Sequence, residues 1–342
     1  MRRSAAILAT ITGLSSISAL AFVTVLLAPE APGTKALGTN GSSVVGEFAD
    51  STGTQGFIDT AGNAIVLDVP GASSTEVTGI DSTGDVVGVF ADAAGTYGFV
   101  DMGGSFMTVA PPGASYTEAL GINSAGQIVG SFADQSGFHG FIDAGGGFTT
   151  LDAPNASGGT QAIGINSAGQ IVGAFRDGAG TTHGFIDVSG SFTTIDVPGA
   201  AATIATGVND LGQVTGIYYD NQGTPRGFID TGGSFTTVDV PGASGTEPFT
   251  IDDAGQVVGF FVDPAGNHGF VEDGGSPIVL DVTDPPGSLS VAAMPVAAVP
   301  EPSSLALLGG GLIGLVALRR QGERKRSRRR SQTADPSGAS AV

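Results

Sequence analysis

The sequence predicts an all-β chain: a β-propeller of six four-stranded blades, about 42 residues each, flanked by an N-terminal signal segment and a C-terminal transmembrane helix. Three observations predict it. A Gly-Phe pair recurs at Gly56, Gly98, Gly140, Gly184, Gly227 and Gly269, in steps of 42, 42, 44, 43 and 42, and self-similarity at such a period marks a repeat architecture. Each period divides into four short runs rich in Val, Ile, Phe and Thr, separated by Gly, Asn, Asp and Ser, which is strand and turn chemistry. No segment of the body keeps a 3.6-residue hydrophobic period, so no amphipathic helix is expected there.

Taken in order, residues 1–21 read as a signal peptide. Arg2 and Arg3 precede an apolar stretch, and Ala19-Leu20-Ala21 is a small-x-small cleavage site. Residues 22–35 are a linker or an extra strand: "FVTV" at Phe22 lies 84 residues, two periods, before "FMTV" at Phe106. Residues 36–294 are the six-repeat propeller. "GINSAGQIVG" begins at Gly121 and again at Gly164, with variants at Gly79, Gly207 and Thr250 and a weaker copy, one residue shorter, at Leu37.

The third unit shows the four strands: "TEALGI", "QIVGSFAD", "FHGFID" and "FTTLDAP". In its second strand Ile128, Gly130 and Phe132 share one face, and Val129 and Ser131 the other. Neither face is strongly polar, as expected of blades covered on both sides; a sandwich with one wet face would alternate more cleanly. A β-solenoid is the alternative. Repeat units bury their faces against neighbours, so Phe57, Phe99, Phe141, Phe185, Phe228 and Phe270 should pack between blades. Phe48, Phe90, Phe132, Phe175, Tyr218 and Phe261 should form a second ring. "SLSVAAM" (288–294) is a candidate to zip the ring closed beside the first blade.

Residues 295–303 form a linker with a Pro-Glu-Pro motif, 304–318 a transmembrane helix and 319–342 a basic cytoplasmic tail. The uncharged stretch from Leu305 to Leu318 spans only about 21 Å as a helix against a hydrocarbon core of roughly 30 Å, and Ser303, Ser304 and snorkelling arginines extend it. Eight basic residues between Arg319 and Arg330 should stay cytoplasmic, which places the body outside the inner membrane. The run "VPEPSSLALLGGGLIGLVALRR" resembles the PEP-CTERM sorting signal of Gram-negative bacteria. The resemblance implies recognition of Val299, Pro300, Glu301 and Pro302 by an exosortase-type enzyme, with Arg319 and Arg320 opening the basic flank, and transient anchoring in the inner membrane. The chain departs from the family in continuing past the arginines through "SQTADPSGASAV". The repeats resemble the HAF family of extracellular repeats through "HGF" at His139, His183 and His268, which implies an exported repeat protein.

Charge and composition narrow the chemistry. From Ala36 to Ala298 only Arg176 and Arg226 are basic, against 28 acidic residues. Such a body repels phosphate backbones and excludes nucleic-acid partners. Cysteine is absent, which removes disulfides, thiolate metal sites and thiol nucleophiles. The three histidines share their position in the unit with Gln55, Tyr97 and Arg226, so they read as an exposed, tolerant site rather than a metal centre. Asp50, Asp92, Asp134, Asp177, Asp220 and Asp263 close the second strands; Asp59, Asp101, Asp143, Asp187 and Asp230, with Glu272, close the third. One carboxylate per turn is turn initiation; calcium, which needs six to eight oxygens, is the lesser alternative.

Almost every acidic residue has a copy in the next unit, so no catalytic, cofactor or metal residues are assigned. A hydrolase would require a carboxylate cluster near the axis that breaks the sixfold pattern. With no tryptophan and four tyrosines, stacking platforms for sugars are few. The expectation is an exported, exosortase-sorted protein of the cell surface or extracellular matrix, a structural or interaction scaffold without catalysis, with exopolysaccharide as a partner. The alternative is a glycan-binding or glycan-active propeller.

Overall fold

A computed structural model describes residues 35–280 except 51–52, 61–62, 265 and 273–277. The signal segment, Phe22, Ser288–Met294, the Pro-Glu-Pro linker, the transmembrane helix and the basic tail lie outside the described residues. Within them are 24 strands in six four-stranded sheets and no helix. The chain is an all-β, six-bladed propeller.

Every sheet is an antiparallel meander of four consecutive strands in sequence order. The third blade comprises β9 (Tyr116–Ile122), β10 (Gln127–Ala133), β11 (Phe138–Ala144) and β12 (Phe148–Leu151). The innermost strands are β1 (Lys35–Thr39), β5 (Ser74–Ile80), β9, β13 (Thr160–Ile165), β17 (Ala202–Val208) and β21 (Gly245–Ile251). Each touches the next, and β21 touches β1, so the ring closes. The first sheet is complete by Leu67 and the last is built from Gly245 to Leu280. Among the described residues the two sheets share no strand, and β1 packs against β21 and β22 (Val257–Asp263). Because the strands alternate in direction, the links between blades and the 2–3 turns share one face of the disc. The 1–2 and 3–4 turns share the other.

The turns follow local chemistry. In "NSAGQ" the Asn123 Oδ1 accepts from the amides of Ala125 and Gln127, both at 3.1 Å, and Gly126 takes φ 72°, which glycine adopts without a Cβ penalty. In the 2–3 turn the Asp134 carboxylate accepts from the Ser136 and Gly137 amides. The Asp143 carboxylate does the same for Gly146 in the 3–4 turn at 2.7 Å. Asp92, Asp134, Asp177 and Asp220 after the second strands, and Asp143 and Asp230 after the third, are therefore turn initiators, whereas Asp101 and Asp187 keep a buried Oδ1 without a hydrogen-bond partner.

The core lies between blades. Phe57, Phe99, Phe141, Phe185, Phe228 and Phe270 are all at most 1 % exposed. Phe141 packs with Ile128 and Phe132 of its own blade and with Val87, Val100 and Val109 of the preceding one. Phe185 likewise meets Val129 of the third blade, and Phe99 meets Val45 of the first. In the second ring Phe48, Phe132, Phe175 and Phe261 are buried, while Phe90 and Tyr218 are only partly so.

One backbone irregularity recurs in every blade. The inner strand slips register against its neighbour by one residue, between Ala36 and Gly38, Val77 and Gly79, Ala162 and Gly164, Ala205 and Gly207, and Pro248 and Thr250. In the third blade Gly130 pairs with Ala119 and Val129 with Gly121, leaving Leu120 as the bulge. The bulge pushes a carbonyl toward the second strand. A Cβ on Gly130 would stand 1.9 Å from the Glu118 oxygen and 2.8 Å from the Phe141 ring.

Four links between blades are fastened by a threonine at the start of the following inner strand. Thr75, Thr160, Thr203 and Thr246 accept through Oγ1 from the amides of Val69, Ala153, Val197 and Val240, at 3.0–3.1 Å. In the third blade the corresponding amide position is Pro111, which has no N–H. Thr117 Oγ1 is left buried without a hydrogen-bond partner.

Two outcomes follow. Thr117→Val should raise stability and Thr160→Val lower it, each by about 1 kcal/mol, because the first removes an unsatisfied buried hydroxyl and the second breaks a made bond; urea midpoints measure both. Gly130→Ala should lower stability by at least about 2 kcal/mol through overpacking, read in the same way.

Candidate functional site

The six inner strands enclose an axial cavity of about 390 Å³. At its narrow level stand Gly38, Gly79, Gly121, Gly164, Gly207 and, in the sixth blade, Thr250. A Cβ on Gly121 would lie 2.9 Å from the Ile163 carbonyl oxygen, so glycine sets how closely the inner strands approach. Nearer the turn face comes a ring of Asn40, Asp81, Asn123, Asn166, Asn209 and Asp252. The four amides cross blade boundaries: Asn40 Nδ2 donates to the Asp81 carbonyl at 2.8 Å, Asn123 to Asn166 at 3.0 Å, Asn166 to Asn209 at 2.9 Å and Asn209 to Asp252 at 2.9 Å. Where aspartate replaces asparagine the donor is lost, so the chain of side-chain bonds breaks after the second and sixth blades. At the same mouth the Ser167 hydroxyl donates to Asp210, and the Asp210 amide donates to Asp253 at 2.8 Å.

Toward the link face the inner strands carry a different ring, and it breaks the sixfold pattern. Lys35, Glu76, Glu118, Gln161, Ile204 and Glu247 occupy equivalent positions, pairing with the residue next to the second-strand glycine. Glu47 on the second strand of the first blade joins them. Lys35 Nζ donates to Glu47 Oε1 at 2.6 Å. Glu118, 3 % exposed, accepts from the Tyr116 hydroxyl, from Ser131 Oγ at 2.9 Å and, across the blade boundary, from Gln161 Nε2 at 3.3 Å. Burial raises the Glu118 pKa, and these three bonds oppose the rise. Burial also pushes Glu76 well above the carboxylate range, aided by Glu47 and Glu118 and opposed by Lys35. Glu247 is pushed up to about 7 by burial, with Lys35 opposing across the ring closure. Burial takes Tyr219 to about 12. The ring thus holds three carboxyls raised by burial beside one ion pair.

The histidines sit in the third strands of the third, fourth and sixth blades, and the expectation that they are exposed is corrected here. His139, His183 and His268 have side chains 19 %, 22 % and 17 % exposed. His183 and His268 stack on Phe175 and Phe261 at 5.2 and 5.0 Å, and His139 lies tilted against Phe132 at 5.3 Å. His183 bridges two aspartates, Nδ1 to Asp196 at 2.9 Å and Nε2 to Asp177 at 3.4 Å. Arg226 bridges Asp220 at 3.2 Å and Asp239 at 2.7 Å in the next blade. In the fourth and fifth blades the aspartate that starts the turn and the one that ends the fourth strand together seat a planar side chain with N–H donors. No three His, Asp or Glu side chains converge as a metal site among the described residues.

The axial glutamates escaped the sequence reading because acidic residues were counted together. Of the 28 in the body only Glu47, Glu76, Glu118, Glu247 and Glu272 are glutamate. Aspartate tracks the turns; glutamate mostly tracks the first strand, as in "TEV", "TEA" and "TEP". That split was the available signal.

The sorting residues Val299, Pro300, Glu301, Pro302, Arg319 and Arg320 lie outside the described residues. Glu247→Gln should flatten the pH dependence of stability. A carboxyl whose folded pKa is raised binds more protons folded than unfolded, so its contribution is full below about 4.5 and is lost as pH rises through about 7. Urea denaturation at pH 5 and pH 8 should show a fall on the order of 1–3 kcal/mol in the native chain that the variant lacks in part.

Comparison with known proteins adds the following. Residues 298–321 match the PEP-CTERM protein-sorting motif, which marks exported proteins of Gram-negative bacteria sorted by an exosortase-type enzyme. No curated protein matches the chain. Among solved structures the chain is similar to TolB from Acinetobacter baumannii (TM-score 0.56, 11 % identity, 68 % of this chain and 62 % of that one). It is similar to the acylaminoacyl peptidase of Pyrococcus horikoshii (TM-score 0.50, 10 % identity, 72 % of this chain and 44 % of that one). The lectin of Aleuria aurantia, in complex with Fucα1-6GlcNAc, aligns at TM-score 0.47 with 13 % identity over 78 % of this chain and all of that one. At these identities the likeness is one of fold: the chain is a β-propeller carrying an exosortase sorting motif.

Proposed function

We propose that this protein is a surface or extracellular-matrix scaffold, sorted through its tail by an exosortase and working by binding rather than by catalysis. The observation that carries the reading is a PEP-CTERM motif at residues 298–321 following a propeller whose axial asparagines and two of whose axial glutamates are bonded to the blades themselves. The asparagine ring is committed to neighbouring carbonyls. Glu118 is held by three protein donors, and Glu47 is paired with Lys35. A general acid or nucleophile must instead be presented to a substrate. In this reading the segment 304–318 holds the chain in the inner membrane until the tail is cut, and the repeats belong with HAF-like extracellular repeats. Exopolysaccharide is the partner of the displayed body.

A second reading, a glycan-binding propeller, is favoured by an aromatic-floored cavity at the entry to the fourth blade.

Intact mass of the secreted protein tests the first reading. Loss of the chain beyond about Pro302 is the expected result, and Pro302→Ala should leave the full-length form in the cell. A secreted form that keeps Arg319–Arg330 defeats it.

A further inference from the structure

The link from the third to the fourth blade differs from the others. From the Gly-Phe glycine to the next inner-strand glycine the chain takes 24 residues between Gly140 and Gly164. It takes 23 between Gly98 and Gly121 and between Gly184 and Gly207. The turn that elsewhere uses Gly71, Gly113, Gly199 or Gly242, at φ 82–89°, here uses Asn155 at φ 67°. An asparagine tolerates the left-handed region, but at an energetic cost that glycine avoids. Among the described residues only Asn155 and Ser189 do so without being glycine. The extra residue is tied down: the amides of Ser157 and Gly158 both donate to the Arg176 carbonyl at 3.0 Å, and the Arg176 amide donates to Gly159.

This altered link borders a cavity of about 480 Å³ over the outer part of the fourth blade, within the size range of small-ligand sites. Asn155 and Pro154 come from the link, and Phe192, Thr194, Asp196 and His183 from the blade. The polar side chains are an amide, a hydroxyl, an imidazole and carboxylates, set around phenylalanine. The imidazole is already positioned: His183 stacks on Phe175 and bridges Asp177 and Asp196, so little side-chain freedom is lost when something binds.

We infer that this cavity is a carbohydrate site that takes one neutral sugar unit of a polysaccharide. The inference rests on the glycan-binding reading and gives it a place. A sugar offers hydroxyl donors to Asp177, Asp196 and Thr194, an acceptor and donor pair to Asn155, and a face of C–H groups to Phe192. Two carboxylates around one histidine leave the site acceptor-rich, which disfavours uronic acids and other anionic units. The strained asparagine is accounted for as well: glycine would hold the turn without strain but would bring no amide to the cavity.

The test is ligand-observed saturation-transfer NMR of the purified body with D-glucose, D-galactose, D-mannose, L-fucose, L-rhamnose and N-acetyl-D-glucosamine. It is run on the native chain and on Asn155→Gly, Asp196→Asn and Asp239→Asn. The expected result is transfer to at least one sugar, weakened at least tenfold in Asn155→Gly and Asp196→Asn and unchanged in Asp239→Asn, the matching position of the fifth blade. Absence of transfer to every sugar, or transfer that survives both fourth-blade substitutions, overturns the site. A parallel pull-down with the producer's own exopolysaccharide separates the two claims. Equal retention of the native chain and both variants keeps the glycan reading and removes this site; no retention and no transfer removes both.

Discussion

Adjacent strands within each blade are held together by an approach that only glycine permits. At Gly46, Gly88, Gly130, Gly173, Gly216 and Gly259 a Cβ would stand 1.9–2.3 Å from a carbonyl oxygen of the inner strand. The phenylalanine one strand further out lies across five of these same glycines, at 2.6–2.9 Å from the Cβ they lack. The bulge in the inner strand, the absent side chain and the aromatic ring are one device. The bulge tilts the inner strand toward the axis, the glycine receives the displaced carbonyl, and the ring fills the space above and reaches the preceding blade. The mutual burial of the sheets, and hence the closed circle, depends on that fit.

The axis divides into two chemical levels. Near the turn face the asparagines form a nearly repetitive collar whose polar atoms are satisfied by the blades themselves. Near the link face the repeat decays into lysine, glutamate, glutamine and isoleucine at one structural position. Burial there raises the pKa values of Glu76, Glu118 and Glu247. The lysine of the first blade and the glutamate of the last feel one another across the seam of the ring. Lys35 therefore adds an electrostatic link between the first and last blades, beside the packing of β1 against β21 and β22.

Much of this was legible beforehand. The Gly-Phe period located all six blades, and the phenylalanine it marks is the largest fully buried side chain of each, because a repeated apolar residue in a unit too small for its own core has only a neighbour to pack against. The aspartates that end strands were readable as turn initiators because that chemistry is local. What failed was not local. The bond of Asn123 to its own turn could be foreseen, but its bond to the Asn166 carbonyl, 43 residues on, exists only once the ring brings two blades together. His183 read as incidental because neither Asp177 nor Asp196 is its neighbour in sequence; the antiparallel meander brings one from each side. Glu76 and Glu118 were lost among aspartates because burial, not residue type, sets them apart.

Among the described residues each sheet is built from four consecutive strands, the first spanning Lys35 to Leu67. A chain that emerges from its leading end can thus bring together the four strands of one blade after another. Loop closure stays short throughout, and every blade already outside offers an apolar face on which the next can settle. Vectorial assembly suits a protein that must become compact on the far side of a bilayer, and the same economy leaves the number of blades free to change by duplication of a whole unit.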